Sequence, residues 1–454
     1  MGNPTSQSHD LNNPFQADTQ SQKRALSYAT TIKMLFDEVM TVKQPADRIL
    51  ANYFREHKKH GSKDRKVIRE SLFGVFRWWG WLSNIAPDLE HNSQVTADWF
   101  SILTGCAYLE NHSWKDIVTA WQTFSAASNT LDTANISPLE SIADKQALLA
   151  RLYPALSFDA SALLPEWFWQ VCPLEENQQL ALIEAMSSRP PIWARAQGIN
   201  TAQANAQLQA QGIDATDGHV FSDALNLGHK SMNLNEVALY KEGKLEIQDL
   251  ASQVIGQICA PKKDELWWDT CSGAGGKSLQ MRALMLAQGQ GSGSIIASDI
   301  RSNALEELTK RAQRAHFSGI SIARWKSDEL PVPQAHFDGV LVDAPCSCTG
   351  TWRRNPDMRW IDGIECVEDK AALQLDILRR SSKAVKDGGH LVYATCSLSP
   401  QENEQVVNAF LLNNTDFSLC TLTHPFTQQT HDMLTIWPFE ADSDGMFVAK
   451  MQKR

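Results

Sequence analysis

Asp343-Ala-Pro-Cys-Ser-Cys-Thr-Gly350 is the most telling stretch of the chain. It follows an apolar run, Gly339-Val-Leu-Val342, that reads as a short buried strand. An acid, a proline, two cysteines and a glycine do not build a ladder, so the segment reads as a loop leaving a strand end. Ligands of open α/β sheets bind at the carboxyl ends of strands. A second cysteine, in Tyr393-Ala-Thr-Cys-Ser397, ends the apolar run His390-Leu-Val-Tyr-Ala394. Cys346 and Cys396 are therefore expected to face one pocket and share one reaction.

Around this loop, apolar strands alternate with helical segments from Glu242 onward, the signature of a parallel sheet with crossover helices. The strands are expected at Leu266–Trp268, Ser294–Ala297, Ile320–Trp325, Val340–Val342 and His390–Ala394, with helices over Lys277–Ala287 and Ala304–Ala315 between them. This is a Rossmann-type pattern.

The first of these strands ends in Asp269-Thr-Cys-Ser-Gly-Ala-Gly-Gly-Lys277. Glycines at 273, 275 and 276 permit positive φ and close approach of backbone to a ligand, and the following helix N-terminus offers free N–H groups. A glycine-rich turn alone is a weak signal, but acids at successive strand ends strengthen it. Asp299 ends the second strand, Asp328 lies just past the third and Asp343 ends the fourth. Such carboxylates are hard to explain as packing, because a buried unpaired charge is costly. The turn lacks the four-residue spacing of a phosphate-binding loop. A nucleoside cofactor without pyrophosphate fits better, favouring S-adenosylmethionine over NAD.

The rest of the chain is less specific. Of 454 residues, 43% are hydrophobic and 15 are Trp, enough for sizeable cores. No apolar run reaches the roughly 18 residues of a membrane span, and no secretory signal is visible. Met1-Gly-Asn-Pro-Thr-Ser6 loosely fits a myristoylation pattern with no second anchor beside it. Nine cysteines without regular spacing read as reduced thiols of a cytoplasmic protein. Cys346 and Cys348 lack a partnering Cys/His pair at metal spacing, so no metal is expected. The net charge of −10 argues against wholesale nucleic-acid binding, although a local basic face can do that work. Such a face is on offer between Tyr53 and Gly80, where eight Lys/Arg stand against three Asp/Glu, followed by Trp78, Trp79 and Trp81. It reads either as a solvated helix face beside an aromatic core or as an RNA-contacting face. Ile32, Leu35, Phe36 and Val39 recur at helical spacing in the same region. The expected division is a disordered tail over 1–20, a helical domain over 21–135, a small α+β linker domain over 140–235, with strands at Trp193–Ala196 and Val220–Phe221, and the Rossmann-type domain over 236–454.

Three stretches carry a family resemblance: Asp343-Ala-Pro-Cys346, Arg353-Arg-Asn-Pro-Asp-Met-Arg-Trp360, and Gly388-Gly-His-Leu-Val-Tyr-Ala-Thr-Cys-Ser-Leu-Ser-Pro-Gln-Glu-Asn-Glu404. Together they resemble the RsmB/NOP (Sun/Fmu) RNA cytosine-5 methyltransferases. Lys244-Leu-Glu-Ile-Gln-Asp-Leu-Ala-Ser252 is similar to the segment that opens that family's catalytic domain, and Asp444-Gly-Met-Phe-Val-Ala449 to its closing strand. The N-terminal part more faintly resembles the family's NusB-like helical domain. Two positions depart from the pattern. The first loop, Cys271-Ser-Gly-Ala-Gly-Gly-Lys277, lacks the family's proline, and Cys348 stands where the family usually has glycine.

The resemblance implies a class I methyltransferase domain. Cys271, Ser272, Gly273, Ala274, Gly275, Gly276, Lys277, Asp299, Asp328 and Asp343 would bind S-adenosylmethionine. Cys396 would be the nucleophile, Cys346 would assist product release, and Asp343 is placed to act as an acid. The residues alone leave the two thiols interchangeable, since DNA cytosine-5 methyltransferases attack with the cysteine that corresponds to Cys346. The implied activity is methylation of cytosine C5 in RNA, foremost ribosomal RNA of the small subunit, by a monomer with no membrane partner. Transfer RNA as substrate, and a non-catalytic RNA-binding assembly factor, are the alternatives.

Overall fold

The computed structural model describes residues 15–126 and 138–454, which divide into two compact units. The expected tail up to residue 14, and the change of character near Asn135, fall outside the described residues.

The first unit is helical and takes in residues up to Pro165 together with Asn355–Ile361. Thr19 caps its first helix, Gln20–Val42, in a reciprocal capping box with Gln22. Ile32, Leu35, Phe36 and Val39 are all fully buried, so the periodic stripe is the face this helix turns inward. Trp78, Trp81, Trp99 and Trp121 are fully buried too. Their indole N–H groups are satisfied: Trp99 donates to Ala29 O at 3.0 Å and Trp121 to Ala25 O at 2.9 Å. The tryptophans after the basic stretch are thus largely core. Arg77, counted there as basic surface, is buried against Glu110 at 2.8 Å. Lys58, Lys59, Lys63 and Lys66 are exposed.

Residues 355–361 complete this unit from far along the chain. Asp357 accepts from Ala46 N–H at 2.8 Å, at the start of the helix Ala46–Glu56. The Trp360 indole donates to Phe76 O at 2.7 Å, and Arg359 donates to Arg77 O and Leu163 O, each at 3.2 Å. Ala46 N–H opens its helix and has no intrahelical partner, so Asp357 satisfies it, while Arg359 and Trp360 add bonds that tie this segment to the helix Ser62–Leu82.

The second unit holds two larger sheets. The smaller has four antiparallel strands in the order Thr216–Asp217, Ala224–Asn226, Trp193–Ala196, Leu245–Ile247. Val220–Phe221, expected as a strand, is instead the corner of a hairpin. His219 takes a positive φ of 57°, and Gly218 N–H and Ala224 N–H bond across the turn.

The larger sheet has eight strands. Its parallel part runs Val385–Thr395, Phe337–Asp343, Leu266–Asp269, Ser294–Ala297, Ile320–Ile322, and its far side is antiparallel, with Met446–Lys453 beside Val385–Thr395. Both faces are covered. Trp268, Val340, Val342 and Tyr393 pack into one core, while Trp267, Leu341, Val392 and Ala394 pack into another. Burial on both faces is why these strands read as continuous apolar runs. The expected strand to Trp325 stops at Ile322, and the Trp325 ring lies 5.3 Å from that of Trp268.

Candidate active site

The parallel strands all point their carboxyl ends one way, and register decides what meets there. Asp343 pairs with Ala394, so the loops that follow leave side by side. Cys346 Sγ and Cys396 Sγ then stand 3.2 Å apart. The third thiol, Cys348, places its sulfur within 4.8 Å of both.

The two loops are stitched together by buried groups. Gly350 N–H donates to Cys396 O at 2.8 Å, and Gly445 N–H donates to Gly350 O at 2.8 Å. A Cβ on Gly350 would lie 2.3 Å from Gly445 O and 2.8 Å from Cys396 O, so only glycine permits this approach. Ser347 and Ser397 each follow a thiol, and both hydroxyls donate to fully buried Glu402. Glu402 also accepts from Ser347 N–H at 2.8 Å and from Gln374 at 3.0 Å. Burial raises the Glu402 carboxyl above its usual range, against the pull of these donors. Glu402 lies inside a motif quoted for the family resemblance, but spacing along the chain assigned it no role.

Hydrogen bonds within the thiol trio set its protonation. Those to Cys348 and Cys396, with burial, raise Cys346. The bond from Cys346 favours a thiolate on Cys396, but the bond with Cys348 and burial outweigh it and hold this thiol up. Cys348 is lowered by its bonds from both. Two cations act on Cys396, Lys277 and Arg354. Lys277 Nζ lies 2.7 Å from Asp343 Oδ2. Burial raises the Asp343 carboxyl even so. Arg354 is held by Asp444 at 2.6 Å, and Asp444 N–H donates to a second, half-buried acid, Asp249.

The glycine-rich turn lies at the neighbouring strand end. Gly275 has φ 84°, and a Cβ there would sit 2.4 Å from Leu308 Cγ, whereas the space over Gly276 is open to 4 Å. Gly276 starts the helix Gly276–Ala287. Asp299 accepts from Gly273 N–H at 2.9 Å and from Arg301 N–H at 2.8 Å, and its side-chain partner, the Arg301 guanidinium, is 64% exposed and free to swing aside. Burial works against its charge, but Arg301 and the backbone donors hold the Asp299 carboxyl below the usual range. Two buried polar atoms are left without partners, Asp269 Oδ1 and Ser272 Oγ. A strand-end acid, an open glycine floor and unpaired buried oxygens fit a hydroxyl-rich nucleoside. Burial pushes the Cys271 thiol up to about 12, which makes it inert. Asp328 differs from the other acids: it is 96% exposed and paired with Arg380 at 2.7 Å.

Residues 256–452 match the family described as 16S rRNA methyltransferase RsmB/F. The ribosomal RNA small subunit methyltransferase B of Shewanella oneidensis is 34% identical over 281 residues, 60% of this chain and 62% of that protein. The chain thus spans less than two thirds of that relative's length. The solved structure of PH0851 superposes with a TM-score of 0.71 at 19% identity, covering 96% of this chain and 100% of that one. A methyltransferase homologue from Pyrococcus horikoshii gives 0.51 at 25% identity, covering 64% and 94%. The likeness to the RsmB/F methyltransferase family thus lies in residues 256–452, within the second unit.

Proposed function

We propose that this protein methylates cytosine C5 in ribosomal RNA of the small subunit, using S-adenosylmethionine, with Cys396 as the nucleophile. One observation carries the reading: two thiols from adjacent strand ends stand 3.2 Å apart beside an acid–lysine pair. The relative named for small-subunit ribosomal RNA supports the substrate class.

S-adenosylmethionine supplies a methyl group on a sulfonium, the electrophile for C5. The glycine floor at 273–276 and Asp299 would hold its nucleoside end, with Asp343 and Lys277 left to face the reacting base. Cytosine C5 is a poor nucleophile until Cys396 adds to C6. The S–C6 bond forms, and the electrons of the C5–C6 double bond move toward C5. Asp343, its proton favoured by burial, donates to N3 and takes the charge that would otherwise build on the ring. After transfer, Cys346, or a water it positions, removes the C5 proton. The S–C6 bond then breaks and Cys396 leaves as thiolate. This divides one hard step into easier ones, with the base catalysis placed at C5. The positive field of Lys277 and Arg354 favours the thiolate form that attack requires. Asp328 we place at the outer edge of the cofactor site, free of Arg380 when it acts.

The test is methyl transfer from labelled S-adenosylmethionine to small-subunit RNA lacking the modification, with the product read as 5-methylcytosine. Label on another base, or on transfer RNA alone, sinks the reading.

A further inference from the structure

We propose that Cys346, Cys348 and Cys396 form a binding site for a thiophilic divalent cation, zinc(II), whose occupation removes the nucleophile from reaction.

Along the chain Cys346 and Cys348 are a bare pair. The fold brings in the third sulfur from the next strand end, so that all three lie within 4.8 Å of one another. Zinc bound to thiolates at about 2.3 Å holds its sulfurs about 3.8 Å apart. The trio, with one pair at 3.2 Å and none beyond 4.8 Å, straddles that spacing. Three soft ligands select zinc over hard cations, and the partial exposure of all three thiols leaves a fourth position for water.

Cys348 is the residue that makes the trio. It holds a left-handed φ of 59°, which a glycine would adopt freely. The conformation is fixed by Thr351, whose N–H and hydroxyl both donate to Cys348 O at 2.9 Å. Glu402 pins the two loops through Ser347 and Ser397, so the sulfurs are preorganised. The proposed methyl transfer gives Cys348 no work.

On binding, three S–H bonds break, three S–Zn bonds form and three protons leave; nothing is oxidised. The site then carries a net charge of −1, facing Lys277 and Arg354. The Cys396 lone pair is committed to the metal and cannot reach C6.

The test uses the full chain, reduced and metal-free, with zinc(II) or cobalt(II) alone. One ion per chain is expected, and cobalt should show thiolate-to-metal charge-transfer bands. C348G should bind at least about 100-fold more weakly, since removing a ligand exceeds the 10–100-fold cost of removing a ligand's support. It should still bind S-adenosylmethionine, showing that it is folded. A cobalt spectrum without thiolate bands, or parental affinity in C348G, overturns the site. The binding arm does not rest on the proposed reaction. The inhibition arm does: zinc should arrest methyl transfer in the parent and spare C348G at the same concentration. Undiminished turnover with the ion bound overturns the inhibitory role alone.

Discussion

Cys346 Sγ lies 3.2 Å from Cys396 Sγ, although 50 residues separate them. Parallel pairing of Asp343 with Ala394 brings them together, and it sets up a test that tells the two thiols apart. If Cys396 attacks and Cys346 assists proton removal, C346A should methylate once and stall as a protein–RNA adduct stable to denaturing electrophoresis. C396A should give neither product nor adduct. The reverse pattern would make Cys346 the nucleophile.

Glu402 positions both thiol loops without touching the substrate in the proposed reaction. E402A removes the acceptor shared by the Ser347 and Ser397 hydroxyls and leaves the Ser347 N–H unpaired in a buried place. A displacement near 1 Å costs about 100-fold in rate, so kcat should fall by about that much while S-adenosylmethionine affinity stays near parental. E402Q keeps an acceptor and should recover much of the activity. Equal damage to cofactor affinity would mean that Glu402 only holds the fold.

Asp299 is expected to accept hydrogen bonds from the ribose. D299A should weaken cofactor binding by about 1.5–3 kcal/mol, roughly 10–150-fold in Kd. Calorimetry showing an unchanged Kd would take Asp299 out of the site.

Asp269 makes stability depend on pH. Burial pushes its carboxyl up to about 7, against a hydrogen bond from Ser278 at 2.6 Å. A carboxyl raised in the folded state gives its full stability below its unfolded value near 3.9 and loses it as pH rises through 7. Its share of the decline can reach about 1.4 kcal/mol per pH unit in that window. D269N should flatten the fall in urea-unfolding stability between pH 4 and 7; parallel curves for variant and parent would refute the assignment.

The exposed lysines of the helical unit are expected to meet phosphate. Reversing Lys58, Lys59, Lys63 and Lys66 should weaken RNA binding and reduce the slope of log K against log salt by roughly 0.7–0.9 for each phosphate no longer neutralised. An unchanged slope marks a solvated face. Arg77 belongs to no such test, because it is buried on Glu110.

What the sequence disclosed followed from local rules. Cys346 and Cys396 each end an apolar run, and both faces of those strands are buried, so the runs were continuous and easy to read. Gly275 was legible as a turn because only glycine tolerates its φ and the close approach to Leu308. Glu402 was not, because its partners are two serines that meet only after the strands pair. The trio of sulfurs was missed for the same reason. Val220–Phe221 had strand composition, but the hairpin needed a corner there. The acids at 269, 299 and 343 lie at strand ends as expected, whereas the loop after Ile322 carries Asp328 out to solvent.

Residues 355–361 also bear on how the protein is made. The helical unit is first in sequence, yet Asp357, Arg359 and Trp360 are encoded some 190 residues beyond its boundary at Pro165. At a synthesis rate of about 5–20 residues per second, those helices wait roughly 10–40 s on the ribosome for their last seven residues. During that interval Ala46 N–H, Phe76 O and Arg77 O lack their final partners. The first unit to emerge is therefore completed only after residues 166–354 of the second have been made.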